Sequence, residues 1–365
     1  MKRILLVAPI KKAGGIARWT GHLIKYWQKL PTKDIFIEVL PEPTPLFNSF
    51  NNQNKIRRFV VGIYNYLGII NNQIKYLRRE RFDIVHICSS ASWGLLKDLL
   101  MLKISQHFHV ASIVHFRFGR IPELKEQNNW EWKLLQKVVK MANVVITIDE
   151  RSYKVLLSEG YENVQNIPNP IAPDVLSVIS ERKEERQKGY VLFVGQCYPQ
   201  KGIFELIEAS RGIENITVNF IGPINEQILE KMGKKARECG VANIVIQGEK
   251  PYDLVIREMK RCTVFVLPTY TEGFPNVILE SMACGCPIIT TDVGAIPEML
   301  DIKHEGNCGI CVKPHDVAAL HEAIKKMIVD EEYATYCGMN AQKRVNEQYS
   351  MPIVWDKLTR IWESL

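Results

Sequence analysis

The chain has 365 residues, 46% of them apolar and 24% charged, close to the globular averages of about 45–50% and about 25%. That composition excludes a disordered, a collagen-like or a coiled-coil chain, and at about 100–200 residues per domain the length allows two or three domains. The net charge of +7 is unevenly spread: residues 1–150 hold 23 Lys+Arg against 11 Asp+Glu, giving +12, and the remainder is −5. A basic first half and a mildly acidic second half suggest two domains with different partners, the first suited to anionic lipid, nucleic acid or an acidic substrate.

The opening MKRILLVAPI is basic, then apolar, but the run stops at Pro9 without a small-residue cleavage site. It reads as a first strand rather than a signal peptide, so a cytoplasmic protein is expected. The strand Ile4–Ala8 leads into a glycine-bearing loop, Lys11–Ile16, then a helical pattern over Ala17–Leu30 and a second strand, Ile35–Leu40. Pro41–Asn54 is a Pro- and Asn-rich loop. From Ile56 to Leu77 the apolar positions Ile56, Phe59, Val60, Ile63, Leu67, Ile70, Ile74 and Leu77 share one helical face. Lys55, Arg57, Arg58, Lys75, Arg78 and Arg79 flank it. The favoured reading is a helix packed on a sheet; the other is a basic amphipathic face at a membrane surface. Phe59–Ile70, the longest apolar-rich stretch, is shorter than the ~20 residues a membrane helix needs.

Ile84–Cys88, Val110–His115 and Val144–Ile148 continue the strand–helix alternation of a parallel sheet. Ala172–Lys188, with Pro173 and the charge run Glu181–Arg186, reads as a linker. The alternation then restarts with Val191–Val194, Thr217–Ile221, Ile244–Gln247, Val264–Leu267 and Pro287–Thr291. Two Rossmann-like domains facing a cleft are expected, spanning residues 1–172 and 188–351. A last helix from Pro352 to Leu365 carries Trp355, Leu358, Ile361, Trp362 and Leu365 at helical spacing. Nine cysteines, without a second C-x-x-C to partner Cys308-x-x-Cys311, and the lone Cys284-x-Cys286, read as reduced and mostly buried thiols rather than a disulfide or zinc framework.

Four features of the second half point to one ligand type. Phe193-Val194-Gly195-Gln196, then Lys201-Gly202, puts a tight turn and a cation after a strand, which suits a phosphate. After the strand ending at Pro268, a loop carries Glu272 and Gly273, and Pro275 suits the first turn of a helix. The N–H groups of Asn276 and Val277, with the helix dipole behind them, would bind an anion such as a diphosphate. Glu272 precedes that helix and Glu280 lies inside it, so the two carboxylates address different parts of one extended ligand. Gly285-Cys286-Pro287-Ile288-Ile289 is a tight helix-to-strand turn, and in Asp292-Val293-Gly294-Ala295-Ile296-Pro297-Glu298 the glycine permits a close loop while Glu298 favours the next helix start.

Pro268–Glu298 closely resembles the donor-binding segment of the retaining glycosyltransferases of family four, the group 1 enzymes with the GT-B fold. The pair Glu272/Glu280, the A-C-G-C-P turn and the D-V-G-x-I-P-E segment stand in the family's order, continuing through Gly306–Pro314. Upstream the resemblance takes in Gly195, Lys201-Gly202 and Gly14-Gly15-Ile16, strongly from Val191 to Pro314 and weakly before.

The resemblance implies that Glu280 hydrogen-bonds the nucleotide ribose, Glu272 holds hydroxyls of the transferred sugar, and Gly273, Phe274, Pro275, Asn276 and Val277 cradle sugar and diphosphate. It implies that Lys201 meets the diphosphate beside Gly195 and Gln196, that Gly14 and Gly15 close over the phosphates, and that His115 lies beside the donor sugar. Glu272, His115 and Lys201 are thus the catalytic candidates. It also implies that the C-terminal helix crosses back to the first domain and that the anomeric configuration is retained. No D-x-D metal motif sits in a suitable loop, so neither metal nor other cofactor is expected.

Two positions depart from the family. Gln196 stands where an arginine is usual, which weakens diphosphate stabilisation unless a cation such as Arg18 or Arg117 substitutes. Asn169-Pro170 replaces the frequent Asn-Gly.

The expected function is sugar transfer from a nucleoside-diphosphate sugar, UDP-linked first and GDP-linked second. The acceptor is expected to be a glycan or lipid-linked molecule in cell-surface polysaccharide or glycoconjugate synthesis, with an anionic membrane surface as a further partner at its inner face. The alternatives are a GT-B epimerase or phosphorylase, and a non-catalytic nucleotide-sugar-binding relative for which Gln196 is the support. A dehydrogenase lacks its G-x-G-x-x-G after a strand, and the scattered aromatics of the basic half offer nucleic acid no stacking platform.

Overall fold

Short β-branched runs buried on both faces make parallel sheets, and both halves of the chain are built this way. A computed structural model describes residues 1–9, 15–31, 34–41, 55–181, 184–303 and 307–365. Gly14, the Pro41–Asn54 loop after its first residue, Arg182-Lys183 and Gly306 lie outside the described residues. Two compact units result: Met1–Pro168 with Trp355–Leu365, and Asn169–Val354.

The first unit runs β1 (Lys2–Val7), α1 (Gly15–Lys29), β2 (Ile35–Val39), α2 (Lys55–Arg79), β3 (Ile84–Ser89), α3 (Gly94–His107) and β4 (Ala111–Phe116). It continues with α4 (Ile121–Gln127), α5 (Trp130–Met141), β5 (Val144–Thr147), α6 (Glu150–Ser158) and β6 (Val164–Asn166). The sheet order is β2-β1-β3-β4-β5-β6, with every pairing parallel. Alternation along the strands gives each face its own set. Val85, Ile87, Val114 and Phe116 pack with Leu95 and Leu102 of α3 and Trp132 and Leu135 of α5. The opposite face of β3 and β4 presents His86, Cys88 and His115, with Cys88 opposite His115 in the register.

The second unit runs α7 (Pro173–Glu181), β7 (Tyr190–Val194), α8 (Ile203–Ala209), β8 (Thr217–Ile221), α9 (Glu226–Cys239), β9 (Ile244–Gly248), α10 (Tyr252–Arg261) and β10 (Val264–Leu267). After these come α11 (Asn276–Ala283), β11 (Ile288–Thr291), α12 (Ile296–Met299), β12 (Ile310–Val312), α13 (Val317–Val329), α14 (Glu331–Gln348) and α15 (Met351–Ser364). Its parallel sheet has the order β12-β11-β10-β7-β8-β9, the doubly wound arrangement of dinucleotide-binding folds.

The segment expected to link the domains carries a helix and belongs to the second unit, which begins at Asn169. Pro173 starts α7, Val175 is buried, and α7 packs on α10 and α11. Even the charge run is tied down: Glu184 pairs with Arg257 at 3.0 Å, and Arg186 Nη1 donates to the Cys262 carbonyl at 2.7 Å. The partners of these charged side chains lie some 75 positions away. The last helix leaves the second unit partway along. From Trp355 it belongs to the first, where Trp355 meets Tyr26 at 5.8 Å and Trp362 is fully buried. All nine cysteines are free thiols, seven of them buried. No helix among the described residues is long and apolar enough to cross a membrane.

Candidate active site

In the second sheet the chain winds outward from β7 in both directions, β8 on one side and β10 on the other. Loops leaving the carboxyl ends of those strands diverge there, and ligands of open α/β sheets bind in that crevice. The two loops are Gly195–Gly202 and Pro268–Pro275.

Glycine allows them to touch. Gly202 closes a short 3-10 turn, Pro199–Lys201, with φ of 71°, and a Cβ there would lie 2.0 Å from the Pro268 carbonyl oxygen. The Tyr270 amide donates to the Gln200 carbonyl at 2.9 Å, and the Thr269 hydroxyl donates to the same oxygen at 3.3 Å. Laced together, the loops bring Lys201 Nζ onto Glu272 Oε1 as a charge-assisted hydrogen bond. The side chains are 25% and 18% exposed, so the pair stands at a surface and is not sealed within the core.

The Glu272 loop is gripped from its other side as well. Gly294, at φ of 55°, lies so close that a Cβ would be 2.1 Å from the Glu272 carbonyl oxygen, and the Ala295 amide donates to the Gly273 carbonyl at 2.9 Å. Phe274 is buried with its ring edge-on to Tyr349, centroids 5.8 Å apart.

Pro275 is the N-cap of α11 rather than a member of its first turn. The first closing bond runs from the Ile278 amide to the Pro275 carbonyl at 3.1 Å, so the Asn276 and Val277 N–H groups stand ahead of it at the positive end. Glu280 follows Asn276 by four residues, about 6 Å along the axis, and is half-buried. Gly195 donates its amide to the Ile221 carbonyl at 2.9 Å, and Gln196 beside it is exposed. The structure thus gathers Gly195, Gln196, Lys201, Glu272 and Gly273–Val277 on the two adjoining loops and the helix start, with Glu280 on the helix behind.

The remaining candidates belong to the first unit. Gly15 opens α1, where a Cβ would meet nothing within 4 Å. His115 is fully buried near the end of β4. Its neighbours were missed in the sequence: His86 Nε2 lies 3.3 Å from His115 Nδ1, and the Trp362 indole N–H donates to His86 Nδ1 at 3.1 Å. The Trp19 ring is edge-on to His115 at 5.2 Å, and the Arg117 guanidinium lies over Trp19 at 4.3 Å. Burial, then the Arg117 charge, pushes His86 down to about 3; burial, Arg117 and His86 hold His115 well below the usual histidine range. Burial lifts the Cys88 thiol to about 12.

The chain matches the family model of glycosyl transferases group 1 over residues 178–344 and that of Glycosyltransferase Family 4 over residues 13–175. An uncharacterized glycosyltransferase of Methanocaldococcus jannaschii is 30% identical over 372 aligned residues, 96% of this chain and 95% of the relative. Capsular polysaccharide biosynthesis glycosyltransferase CapM of Staphylococcus aureus is 30% identical over 47% of this chain and 45% of its own. Among solved structures, HepE of Anabaena in complex with UDP superposes with a TM-score of 0.73 over 100% of both chains at 16% identity, and its complex with UDP-glucose at 0.69. The chain therefore belongs to the group 1 glycosyltransferases, and its two α/β units are those of the GT-B fold.

Gly294→Ala is expected to cost about 2–4 kcal/mol, since it combines a left-handed backbone with a collision against main chain. Gly240→Ala, at φ of 66° but with nothing within 4 Å, is expected to cost only about 1–2 kcal/mol. Urea titrations of the two variants check this, and equal costs would dismiss the grip on the Glu272 loop.

The buried imidazoles give a second expectation. Their folded pKa values lie below the unfolded value of about 6.5, so their contribution is whole above about pH 6.5 and is lost progressively as pH falls, for His86 down to about 3. The slope is up to about 1.4 kcal/mol per pH unit for each histidine. Thermal melts between pH 7 and 5 should fall, and less steeply in His86→Gln, which does not titrate; identical slopes would show that His86 is not held neutral.

Proposed function

We propose that this group 1 glycosyltransferase moves a sugar, with retention at the anomeric carbon, from a nucleoside-diphosphate sugar to a glycan or lipid-linked acceptor in cell-surface polysaccharide or glycoconjugate synthesis. The observation that carries the reading is the Lys201–Glu272 pair, held on two interlocked loops at the switch point of the second sheet. UDP is the favoured nucleotide and GDP the second; HepE, the structural neighbour solved with UDP and UDP-glucose, supports that order. CapM supports the polysaccharide context.

Breaking the bond from the anomeric carbon to the diphosphate oxygen builds positive charge on the sugar and negative charge on the departing phosphate. Lys201 and the amides opening α11 are fixed donors for that phosphate, and preorganised donors act without reorganising during the reaction. An arriving diphosphate competes with Glu272 for Lys201. Once Lys201 turns to the phosphate, Glu272 is left to accept from hydroxyls of the sugar, and Glu280 from those of the ribose. His115 of the first unit serves the transferred sugar. Positive charge from Lys201 and the helix end makes a divalent metal unnecessary in this scheme. Neither role of the two glutamates is that of a covalent nucleophile.

A second observation favours a membrane-facing acceptor. Trp93 and Trp130 are exposed with ring centroids 5.0 Å apart, and Leu96 and Leu100 continue that face of α3. Ile63, Tyr64 and Leu67 are exposed on α2, which packs on α3. Aromatic and aliphatic side chains on a domain of charge +12 suit the interface of an anionic bilayer.

A screen of UDP-, GDP-, ADP- and dTDP-sugars without added metal is expected to yield stabilisation by one nucleotide and slow release of its diphosphate. Glu280→Ala should weaken donor binding about 10–100-fold, the value of one or two charge-assisted hydrogen bonds. Lys201→Ala should mainly lower kcat, by about 10²–10³-fold. Wild-type turnover in both variants would overturn the site assignment, and binding without any transfer or hydrolysis would favour the non-catalytic relative. For the membrane reading, flotation should recover the protein with phosphatidylglycerol vesicles and lose it with Trp93→Ala/Trp130→Ala; equal recovery on neutral vesicles would remove it.

A further inference from the structure

We propose that Tyr270 and His315 are positioning residues: with Glu205 they form a strap at the carboxyl edge of the second sheet that holds the Glu272 loop against the Lys201 loop. The inference rests on the reading of Lys201 and Glu272 as donor-binding groups.

Segments that follow three strands of that sheet meet in the strap. Tyr270 stands two residues before Glu272, in the loop after β10. Its phenol donates to Glu205 Oε1, in the first turn of α8 and four residues after Lys201. The His315 ring comes from the turn between β12 and α13, and α13 packs on α8. That ring lies over Tyr270 with centroids 3.9 Å apart and planes at 38°, and its Nδ1 is 4.0 Å from the same Glu205 oxygen.

The backbone of His315 calls for an explanation. Its φ is 66°, a left-handed conformation that glycine would hold without strain. Core packing does not ask for a histidine either, since the side chain is 64% exposed. What the position gains from an imidazole is the contact with Tyr270 and Glu205, and strain of this kind points to a use for the side chain.

Glu205 depends on the strap in turn. Its Oε2 is buried with no hydrogen-bond partner among the described residues, so the Tyr270 and His315 contacts both fall on Oε1. Burial, and then Glu205, push the Tyr270 phenol above its ordinary value of about 10, so it stays protonated and donates.

The main chain supplies the other half of the tie. The Tyr270 amide donates to the carbonyl of Gln200, the residue before Lys201. Tyr270 is thus bonded to both sides of Lys201, through its backbone and through its side chain. It also sits midway between two backbone contacts, Gly202 under Pro268 and Gly294 under Glu272. The glycines fix the ends of that stretch, and the strap holds its middle.

The rival reading is an incidental stack of two rings on neighbouring loops. Hydrogen exchange of the full-length protein, read over residues 268–276, separates the two without any substrate. His315→Asn tolerates a left-handed backbone but has no ring. Its Tm should stay within about 3 °C of the wild type, because the lost side chain is exposed and leaves no cavity. The loop should nevertheless exchange about tenfold faster, about the worth of one net hydrogen bond. Tyr270→Phe, which keeps the ring and loses the donor, should do the same. In hydrolysis assays with the UDP- or GDP-sugar that stabilises the wild type, both variants should lose about tenfold in kcat, while the Kd for UDP or GDP alone stays within about twofold. Wild-type exchange in His315→Asn overturns the proposal, as does faster exchange with unchanged kcat. Should Tyr270→Phe not fold, His315→Asn alone decides. A wild-type protein that neither hydrolyses nor transfers a sugar counts against the proposed function, and exchange then decides the strap by itself.

Discussion

Two close approaches of main chain to main chain govern the geometry of the second unit's candidate site. Gly202 lies under Pro268 and Gly294 lies under Glu272, each where a Cβ would overlap a carbonyl oxygen. Between them they fix both ends of the loop after β10, the loop that carries Glu272 and delivers the start of α11. Side-chain hydrogen bonds alone would let such a loop slide, whereas backbone contact at glycine leaves it one path. The separation between a cation, a carboxylate and a row of amides is therefore set by the sheet.

The pairing of Lys201 with Glu272 is better understood through that geometry than through stability. A partly exposed ion pair contributes about 1 kcal/mol or less, and burying it deeper would cost desolvation. On the proposed function its use lies in readiness: each charge would hold the other in place until a polyanion with more to offer Lys201 arrives. On that same proposal, a site assembled in this way would have little rearranging left to do for a diphosphate.

Much of this was legible in the sequence, because the determinants are local. Glycine before a helix, a cation six positions after another glycine, and paired glutamates eight apart all lie within short stretches, and the strands between them are short and mostly apolar. What was not legible depends on register and distance. His86 lies inside the predicted strand Ile84–Cys88, and only the pairing of β3 with β4 shows that it shares a face with His115. Trp362 looked like one apolar position of a terminal helix, and its indole partner is 276 residues away. The groups that pair with the charges of the linking segment are remote in the same way. Pro275 moved by one position because a proline suits the cap as readily as the first turn.

The interior of the first unit raises a question that packing does not answer. Two imidazoles, a thiol and an indole N–H occupy the face of a sheet where aliphatic side chains would bury as well and cost nothing in polar desolvation. Both histidines are held neutral against their own tendency to protonate, a penalty that grows as the medium turns acid. Buried polar networks of this kind are worth keeping when each member fixes the state of the next. Along that face the contacts run from the Trp362 indole N–H through His86 and His115 to the Arg117 guanidinium, with a donor at each end near the sheet's carboxyl edge. That is also the edge at which open α/β sheets bind their ligands. The C-terminal helix then has two effects from one residue: Trp362 fills the core of the first unit, and its indole N–H gives buried His86 a hydrogen bond.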